Sequence, residues 1–273
     1  MRVVFQGERG AFSEEAVRRF LGDGVDLLPC NSFEEAFRRL DRGEADRGVL
    51  PMENTLAGSV HENFDLLLRY RLAILAETQV RIVLNLIAPP GVSFSKIRRV
   101  FSHPVALNQC RTFLRRHPRI TPVVFSDTAG SVRMLMHERL ADAAAIAPAA
   151  AGPIYGARIL RRGLEDDKEN YTRFFLLART KRGLREENVS KTSIVFTTPN
   201  KPGALFKCLA VLALREINLV KIESRPLRGK PWEYLFYLDF LGRPGEPRVR
   251  NALRHLAELT DMLRVLGSYE VLK

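Results

Sequence analysis

The sequence predicts an α/β protein of two domains, a larger one built on a mainly parallel sheet and a smaller β-α-β-β-α-β unit. Three observations carry that prediction. From residue 1 to about 180, short β-branched runs alternate with helix-length amphipathic segments, the pattern of parallel strands covered by crossover helices. Residues 180–188 are polar and follow neither a helical nor an alternating apolar period, so they read as a linker. Six segments then follow in strand-helix-strand-strand-helix-strand order, the split βαβ arrangement. The expected division is a large domain over 1–180, a linker over 181–190 and a small domain over 191–273.

In the large domain the strands are expected at 2–6, 25–28, 47–50, 72–88, 97–101, 121–125, 143–147, 158–161 and 173–178. Helices are expected to open at Ser13, Ser32, Gly58, Pro104, Thr128 and Pro148. Ser32 with Glu35 forms a capping-box pattern, and Ser13 is followed by Glu14 and Glu15, acids that favour a helix N-terminus. In the small domain the order is strand 192–198, helix 202–216, strands 219–225 and 233–241, helix 247–259 and strand 262–270.

Composition narrows the function classes. No apolar run reaches the roughly 20 residues of a membrane helix, and the chain opens on the strand-like Val3-Val4-Phe5 rather than a leader, so neither membrane insertion nor export is expected. Cys30, Cys110 and Cys208 are odd in number and far apart, which fits a reducing cytosol and argues against a disulfide framework or a zinc cluster. The sequence His61-Glu62-Asn63-Phe64-Asp65 has Asp where a zinc-peptidase helix needs its second His, so no metal is expected. The net charge of +12 comes from scattered basic residues without a long run or interleaved aromatics. It favours the approach of small anions rather than a nucleic-acid partner.

Ligands of open α/β sheets bind beyond the carboxyl ends of strands, where helix N-termini offer unpaired N–H groups. Five strand exits here are rich in small and hydroxylated residues: 7–13, 50–60, 101–104, 125–131 and 170–174. The second places Glu53, Asn54, Thr55 and Ser59 close together, and the third ends on Ser102-His103-Pro104. In the fifth, an extended chain would put Thr172 and Phe174 on one face and Arg173 on the other. A Ser elbow, a dinucleotide fingerprint and paired metal ligands are all missing from the sequence. The exits together point to a cleft that holds a small polyanion through neutral donors.

In their order, Gly10-Ala11-Phe12-Ser13, Pro51-Met52-Glu53-Asn54-Thr55 through Gly58-Ser59-Val60, Ser102-His103-Pro104 through Gln109-Cys110, Asp127-Thr128-Ala129-Gly130-Ser131 and Thr172-Arg173-Phe174 resemble prephenate dehydratases. The downstream Pro202-Gly203-Ala204-Leu205, Asn218-Leu219 and Ile222-Glu223-Ser224-Arg225-Pro226 resemble the ACT domain of that family. The resemblance implies a two-lobed catalytic domain similar to type II periplasmic binding proteins, followed by a ferredoxin-like ACT domain. It implies conversion of prephenate to phenylpyruvate, without cofactor, under allosteric control by phenylalanine. Thr172 matches the family's essential threonine, with a hydrogen bond to the leaving oxygen as its expected role. His103 or Glu53 could supply the proton, and the choice between them stays open.

The resemblance places the substrate against Ser13, Asn54, Thr55, Ser59, Ser102, Gln109, Asp127, Thr128, Ala129, Ser131, Arg173 and Phe174. It places the effector against Gly203, Ala204, Leu205, Asn218, Glu223, Ser224, Arg225 and Pro226, at an interface between two small domains. A homodimer, or a dimer of dimers, follows from that interface. Two other readings compete: arogenate dehydratase, and a non-catalytic solute-binding or amino-acid-sensing module. A cytoplasmic location is expected.

Overall fold

The computed structural model describes residues 1–180, 188–227, 229–230 and 232–272, so most of the expected linker, residues 181–187, lies outside the described residues. The chain forms two compact units, Met1–Leu66 with Thr78–Leu176 and Leu67–Glu77 with Leu177–Lys273.

The chain begins β1 (Arg2–Gln6), α1 (Phe12–Leu21), β2 (Asp26–Cys30), α2 (Phe33–Asp41), β3 (Arg47–Asn54), β4 (Gly58–Ser59) and α3 (His61–Tyr70), whose last residues belong with the start of β5 to the second unit. It continues with β5 (Ala73–Arg81), β6 (Asn85–Ala88), β7 (Arg99–Ser102), α4 (Pro104–Asn108), α5 (Arg111–Arg116), β8 (Thr121–Val124), α6 (Thr128–Glu138), β9 (Ala143–Ala147), α7 (Ala151–Tyr155), β10 (Arg158–Arg161) and β11 (Tyr171–Ala178). β1 lies between β2 and β3 and pairs with both in parallel. β11 lies on the outer side of β3. A second sheet has the order β10-β6-β9-β7-β8. Its strands β7, β8 and β9 run parallel, and β6 runs against β9 and β10. The fold is the two-lobed architecture expected, with one lobe on each sheet. The chain crosses between them after β5 and again before β11.

Sequence periodicity sets most of these elements. β1 buries Val3, Val4 and Phe5, and all five residues of β9 are buried, as strands covered on both faces require. Ser32 caps α2, its side chain accepting from the Glu35 N–H at 3.1 Å. Gly48 lets α2 approach β3, since a Cβ there would stand 2.9 Å from Leu40.

Three expectations are corrected. The single strand at 72–88 is two strands in different sheets, β5 and β6. At the break the Ile82 N–H donates to the Asn170 carbonyl at 2.8 Å and the Leu84 N–H to the Glu165 carboxylate at 2.8 Å. Distant partners thus satisfy the backbone at the point where the chain leaves one sheet for the other. No helix opens at Gly58: the Asn54 Oδ1 accepts from Leu56 and Ala57 N–H, and this turn folds β4 back on β3. The helix expected from Pro148 starts at Ala151.

The second unit contains β12 (Lys191–Thr197), α8 (Ala204–Ala213), β13 (Leu219–Pro226), β14 (Tyr234–Leu241), α9 (Pro247–Leu259) and β15 (Met262–Val271). The four strands are antiparallel in the order β13-β14-β12-β15, the ferredoxin-like arrangement expected. Ile194, Phe196, Val211, Leu238, Phe240 and Leu256 form its core with α8 and α9. α8 is shorter at both ends than expected, bounded by left-handed Gly203 before it and left-handed Glu216 after it. Residues 76 and 77 extend this unit by pairing in parallel with Glu270 and Val271. No helix among the described residues is long and apolar enough to cross a membrane.

Candidate active site

A cavity of about 420 Å³ opens at the carboxyl ends of β1, β3, β7 and β8 in the first unit. Ser13, Asn54, Ser59, Thr172 and Phe174 line it from one lobe, and His103, Gln109, Asp127 and Thr128 from the other. Nine of the fifteen residues expected at the substrate therefore meet in one cavity. Among the described residues, none lining it is Lys or Arg.

Asn54 is the hub. Its Nδ2 donates to Thr172 Oγ1 at 3.0 Å, to the Tyr171 carbonyl at 3.1 Å and to Asn170 Oδ1 at 2.8 Å. Its Oδ1 accepts from the Leu56 and Ala57 N–H groups and from Gln109 Nε2 at 3.4 Å. Because Thr172 Oγ1 accepts from Asn54, its own hydrogen remains available to donate elsewhere.

His103 caps α4, its Nδ1 accepting from the Val105 N–H at 3.2 Å. That bond leaves the ring proton of the neutral form on Nε2. Burial lowers the His103 pKa and the nearby Asp127 partly restores it, so the neutral imidazole is favoured. Asp127 caps α6, its Oδ1 accepting from the Gly130 N–H at 2.5 Å. Burial raises its pKa, and the N–H donors pull it back.

Backbone constraints shape the floor. Gly7 and Gly10 both have positive φ, and a Cβ on Gly10 would stand 2.8 Å from the Ala151 Cα. The β1–α1 turn therefore packs directly against the start of α7. The Tyr155 hydroxyl donates to the Arg9 carbonyl at 3.0 Å, and Arg133 pairs with Glu8 at 2.9 Å.

The other expected residues do not line the cavity. Glu53 and Arg173 point away from it and pair with each other at 3.5 Å, consistent with neighbours in a strand facing opposite ways. The Ser102 hydroxyl is buried and donates to the Ile146 carbonyl at 2.5 Å, and the Ser131 hydroxyl donates to the Asp127 carbonyl at 2.7 Å. Ala129 is packed in the core, and the Thr55 hydroxyl donates to the Glu169 carbonyl at 2.8 Å. Gln6, Phe12, Ile82, Leu84 and Ser126 line the cavity without having been expected there. Gln6 ends β1, one position before the strand exit 7–13, whereas Ser126 lies within the exit 125–131, where the sequence does not distinguish its hydroxyl from its neighbours'. Ile82 and Leu84 were hidden in a run that read as a continuous strand.

In the second unit, Gly203 is the left-handed N-cap of α8, and Ala204 and Leu205 form its first turn. The Asn218 carbonyl accepts from the Leu241 N–H at 2.9 Å. Glu223, Ser224, Arg225 and Pro226 lie on β13, which pairs with β14 and is the end strand of its sheet among the described residues. Glu223 pairs there with Lys221 at 3.1 Å.

The comparisons with known proteins cover the whole chain. The prephenate dehydratase family model matches residues 3–182 and the ACT domain model residues 192–258. Arogenate dehydratase/prephenate dehydratase 2, chloroplastic, of Arabidopsis thaliana is 45% identical over 99% of this chain and 73% of its own length. Arogenate dehydratase 2 of Petunia hybrida is 44% identical over 98% of this chain and 71% of its own length. The structure of prephenate dehydratase from Arthrobacter aurescens in complex with L-Phe superposes with a TM-score of 0.90, at 33% identity, over 99% of this chain and 90% of that one. GqqA, described as a novel type of quorum quenching acylase, has the same TM-score and identity over 100% of this chain and 98% of its own.

The cytoplasmic expectation is corrected by these relatives, since the Arabidopsis protein is chloroplastic. Three widely spaced cysteines do not identify a compartment. The chain belongs to the prephenate dehydratase family and is a dehydratase, a carbon–oxygen lyase, carrying an ACT domain.

Proposed function

We propose that the chain converts prephenate to phenylpyruvate, with residues 1–180 as the catalytic domain, 181–190 as the linker and 191–273 as the ACT domain, under allosteric control by phenylalanine. The observation that carries the chemistry is the Asn54-to-Thr172 hydrogen bond at 3.0 Å inside the cavity. With its acceptor side occupied by an amide, the Thr172 hydroxyl is oriented to donate to the leaving oxygen. The electron pair of the breaking bond to the ring carboxylate enters the ring as carbon dioxide departs. The carbon–oxygen bond breaks, and the hydroxide gains a proton and leaves as water. Of the two proton donors considered, His103 is the better placed, because it lines the cavity and Glu53 does not; it gives up a proton as the imidazolium, the form that Asp127 favours against burial.

A cavity without guanidinium or ammonium groups must hold two carboxylates through neutral donors. Ser13, Ser59, Gln109 and Thr128 supply these, together with N–H groups at the starts of α1 and α6. Ser102, Ala129, Ser131, Thr55 and Arg173 then act by shaping the strand exits rather than by contact. The same chain geometry under an acylase name shows that fold alone does not decide the chemistry. Here Thr172 is bonded to Asn54 rather than to a histidine, which suits hydrogen-bond donation and not nucleophilic attack.

Phenylalanine is placed on the ACT domain around Gly203, Asn218 and Glu223 to Pro226, between two copies of the chain in a dimer or tetramer. The complex of the Arthrobacter relative with L-Phe supports that effector. The test is turnover of prephenate and of arogenate by the parent and by Thr172→Ala, each with and without phenylalanine. The parent is expected to form phenylpyruvate, and Thr172→Ala to lose about a hundredfold or more in kcat. Near-parent turnover by Thr172→Ala overturns the role of the threonine. Preferential conversion of arogenate to phenylalanine assigns the rival substrate, and kinetics unmoved by saturating phenylalanine remove the allosteric claim.

A further inference from the structure

A second cavity, of about 530 Å³, lies in the lobe built on the β10-β6-β9-β7-β8 sheet and shares no lining residue with the proposed substrate cleft. Arg116, His117, Arg161 and Arg162 contribute its cationic side, and Glu165 and Asp166 its acidic side. Both carboxylates are already committed. Glu165, with a side chain only 3% exposed, accepts from the Leu84 N–H at 2.8 Å and pairs with Arg81 at 3.5 Å. Asp166 accepts from the Thr112 N–H at 3.0 and 3.3 Å.

The guanidinium groups are not so committed. Among the described residues, Arg116, Arg161 and Arg162 form no ion pair with a carboxylate. Arg161 instead lies over the Phe94 ring at 4.0 Å, with Nη1 3.4 Å from His117 Nε2. Edge contacts of Phe94 and Phe113 with the His117 ring, at 5.0 and 4.8 Å, brace that floor. Stacking engages the face of a guanidinium and leaves its in-plane N–H groups for an oxyanion. Three guanidinium groups therefore surround one cavity, one of them held in orientation, and they outnumber the two carboxylates of its wall, of which Glu165 already faces Arg81.

We propose that this cavity is a second anion site, taking a small phosphate- or carboxylate-bearing molecule on Arg116, Arg161 and Arg162. The claim is independent of the reaction assigned to the cleft. Calorimetric titration of the full chain with inorganic phosphate and, separately, with malonate, at constant ionic strength set by KCl, tests it. At least one of the two is expected to bind the parent, and the stronger identifies the class. Arg116→Gln/Arg162→Gln removes two exposed charges that hold no other element, and is expected to raise the Kd about tenfold or more. Arg161→Gln, tested separately, is expected to do the same. Absence of binding by both anions to the parent, or undiminished binding by the double variant, overturns the assignment.

Discussion

Asn54→Asp is the sharpest test of the cleft, because it keeps the shape of the side chain and reverses the direction of its hydrogen bonds. The new carboxylate would still accept from the Leu56 and Ala57 N–H groups, at 3.0 and 2.9 Å in the parent. It could no longer donate to Thr172 Oγ1, to the Tyr171 carbonyl or to Asn170 Oδ1, the bonds now at 3.0, 3.1 and 2.8 Å. The Thr172 hydroxyl would turn to donate to the carboxylate, and its proton would be withdrawn from the leaving group. Loss of one transition-state donor of this kind costs about 10² to 10³ in kcat, or roughly 2.7–4 kcal/mol. With the Thr172 bond remade in reverse, the two lost to Tyr171 and Asn170, at about 1 kcal/mol each, set the stability cost at about 2 kcal/mol, too little to unfold an ordinary domain. Phenylpyruvate formation followed by absorbance gives kcat, and urea unfolding gives the stability. At acid pH the introduced carboxyl regains a proton, can donate again, and the deficit against the parent is expected to narrow. A folded variant with kcat within about threefold of the parent at pH 8 would refute the donor-direction argument.

Asp127→Asn keeps a good N-cap for α6 and removes a buried charge. Since burial raises the Asp127 pKa, its contribution to stability is fully present below the unfolded value near 3.9 and lost as pH rises through the folded value. The variant is therefore expected to gain on the parent in urea unfolding as pH rises from about 4 to 7, and a widening loss would contradict the assignment. The same change removes the group that raises the His103 pKa, so an alkaline limb of kcat/KM owed to the His103 imidazolium should move to lower pH. Gly10→Ala forces a Cβ to 2.8 Å from the Ala151 backbone at φ +83°, and about 2–4 kcal/mol of lost stability is expected in denaturant titration. In the second unit, Lys191→Met takes the cation from fully buried Glu77, now 2.7 Å away, and should cost roughly 3–5 kcal/mol, read as a lowered unfolding midpoint.

The fold was legible wherever one local rule governed a whole segment. The ferredoxin-like unit emerged from alternation and spacing alone, and the Ser32 capping pattern produced the cap that it announces. It was illegible where a long-range partner overrode the local pattern. Residues 72–88 read as one strand because every apolar residue fits one, yet Glu165 and Asn170, about 80 positions onward, take the backbone N–H groups at which the chain leaves the first sheet. Nothing within the segment marks that event. The hairpin at Asn54 was missed for a related reason: Asn, Gly and Ser suit a helix start and a turn equally well, and the choice depends on Asn54 Oδ1 accepting two N–H groups at once.

The site shows the same division more sharply. Alternation along β11 correctly separated Thr172 and Phe174, which line the cavity, from Arg173, which does not. Applied one strand over, the rule would have turned Glu53 away from Asn54, leaving His103 as the donor on geometric grounds alone. Charge followed no such rule. A net charge of +12 suggests a cationic grip on a dianion, but the cavity that brings Thr172, Asn54 and His103 together is lined without Lys or Arg among the described residues. Directed neutral donors can replace cations there because each points at a fixed position and needs no counter-charge when the cleft is empty. A guanidinium in the same place would attract the substrate more strongly but would hold the departing products as well, since carbon dioxide leaves a carboxylate behind on the keto-acid. In the role proposed for Thr172, selectivity for the transition state would rest on its hydroxyl proton, whose direction the Asn54 amide sets.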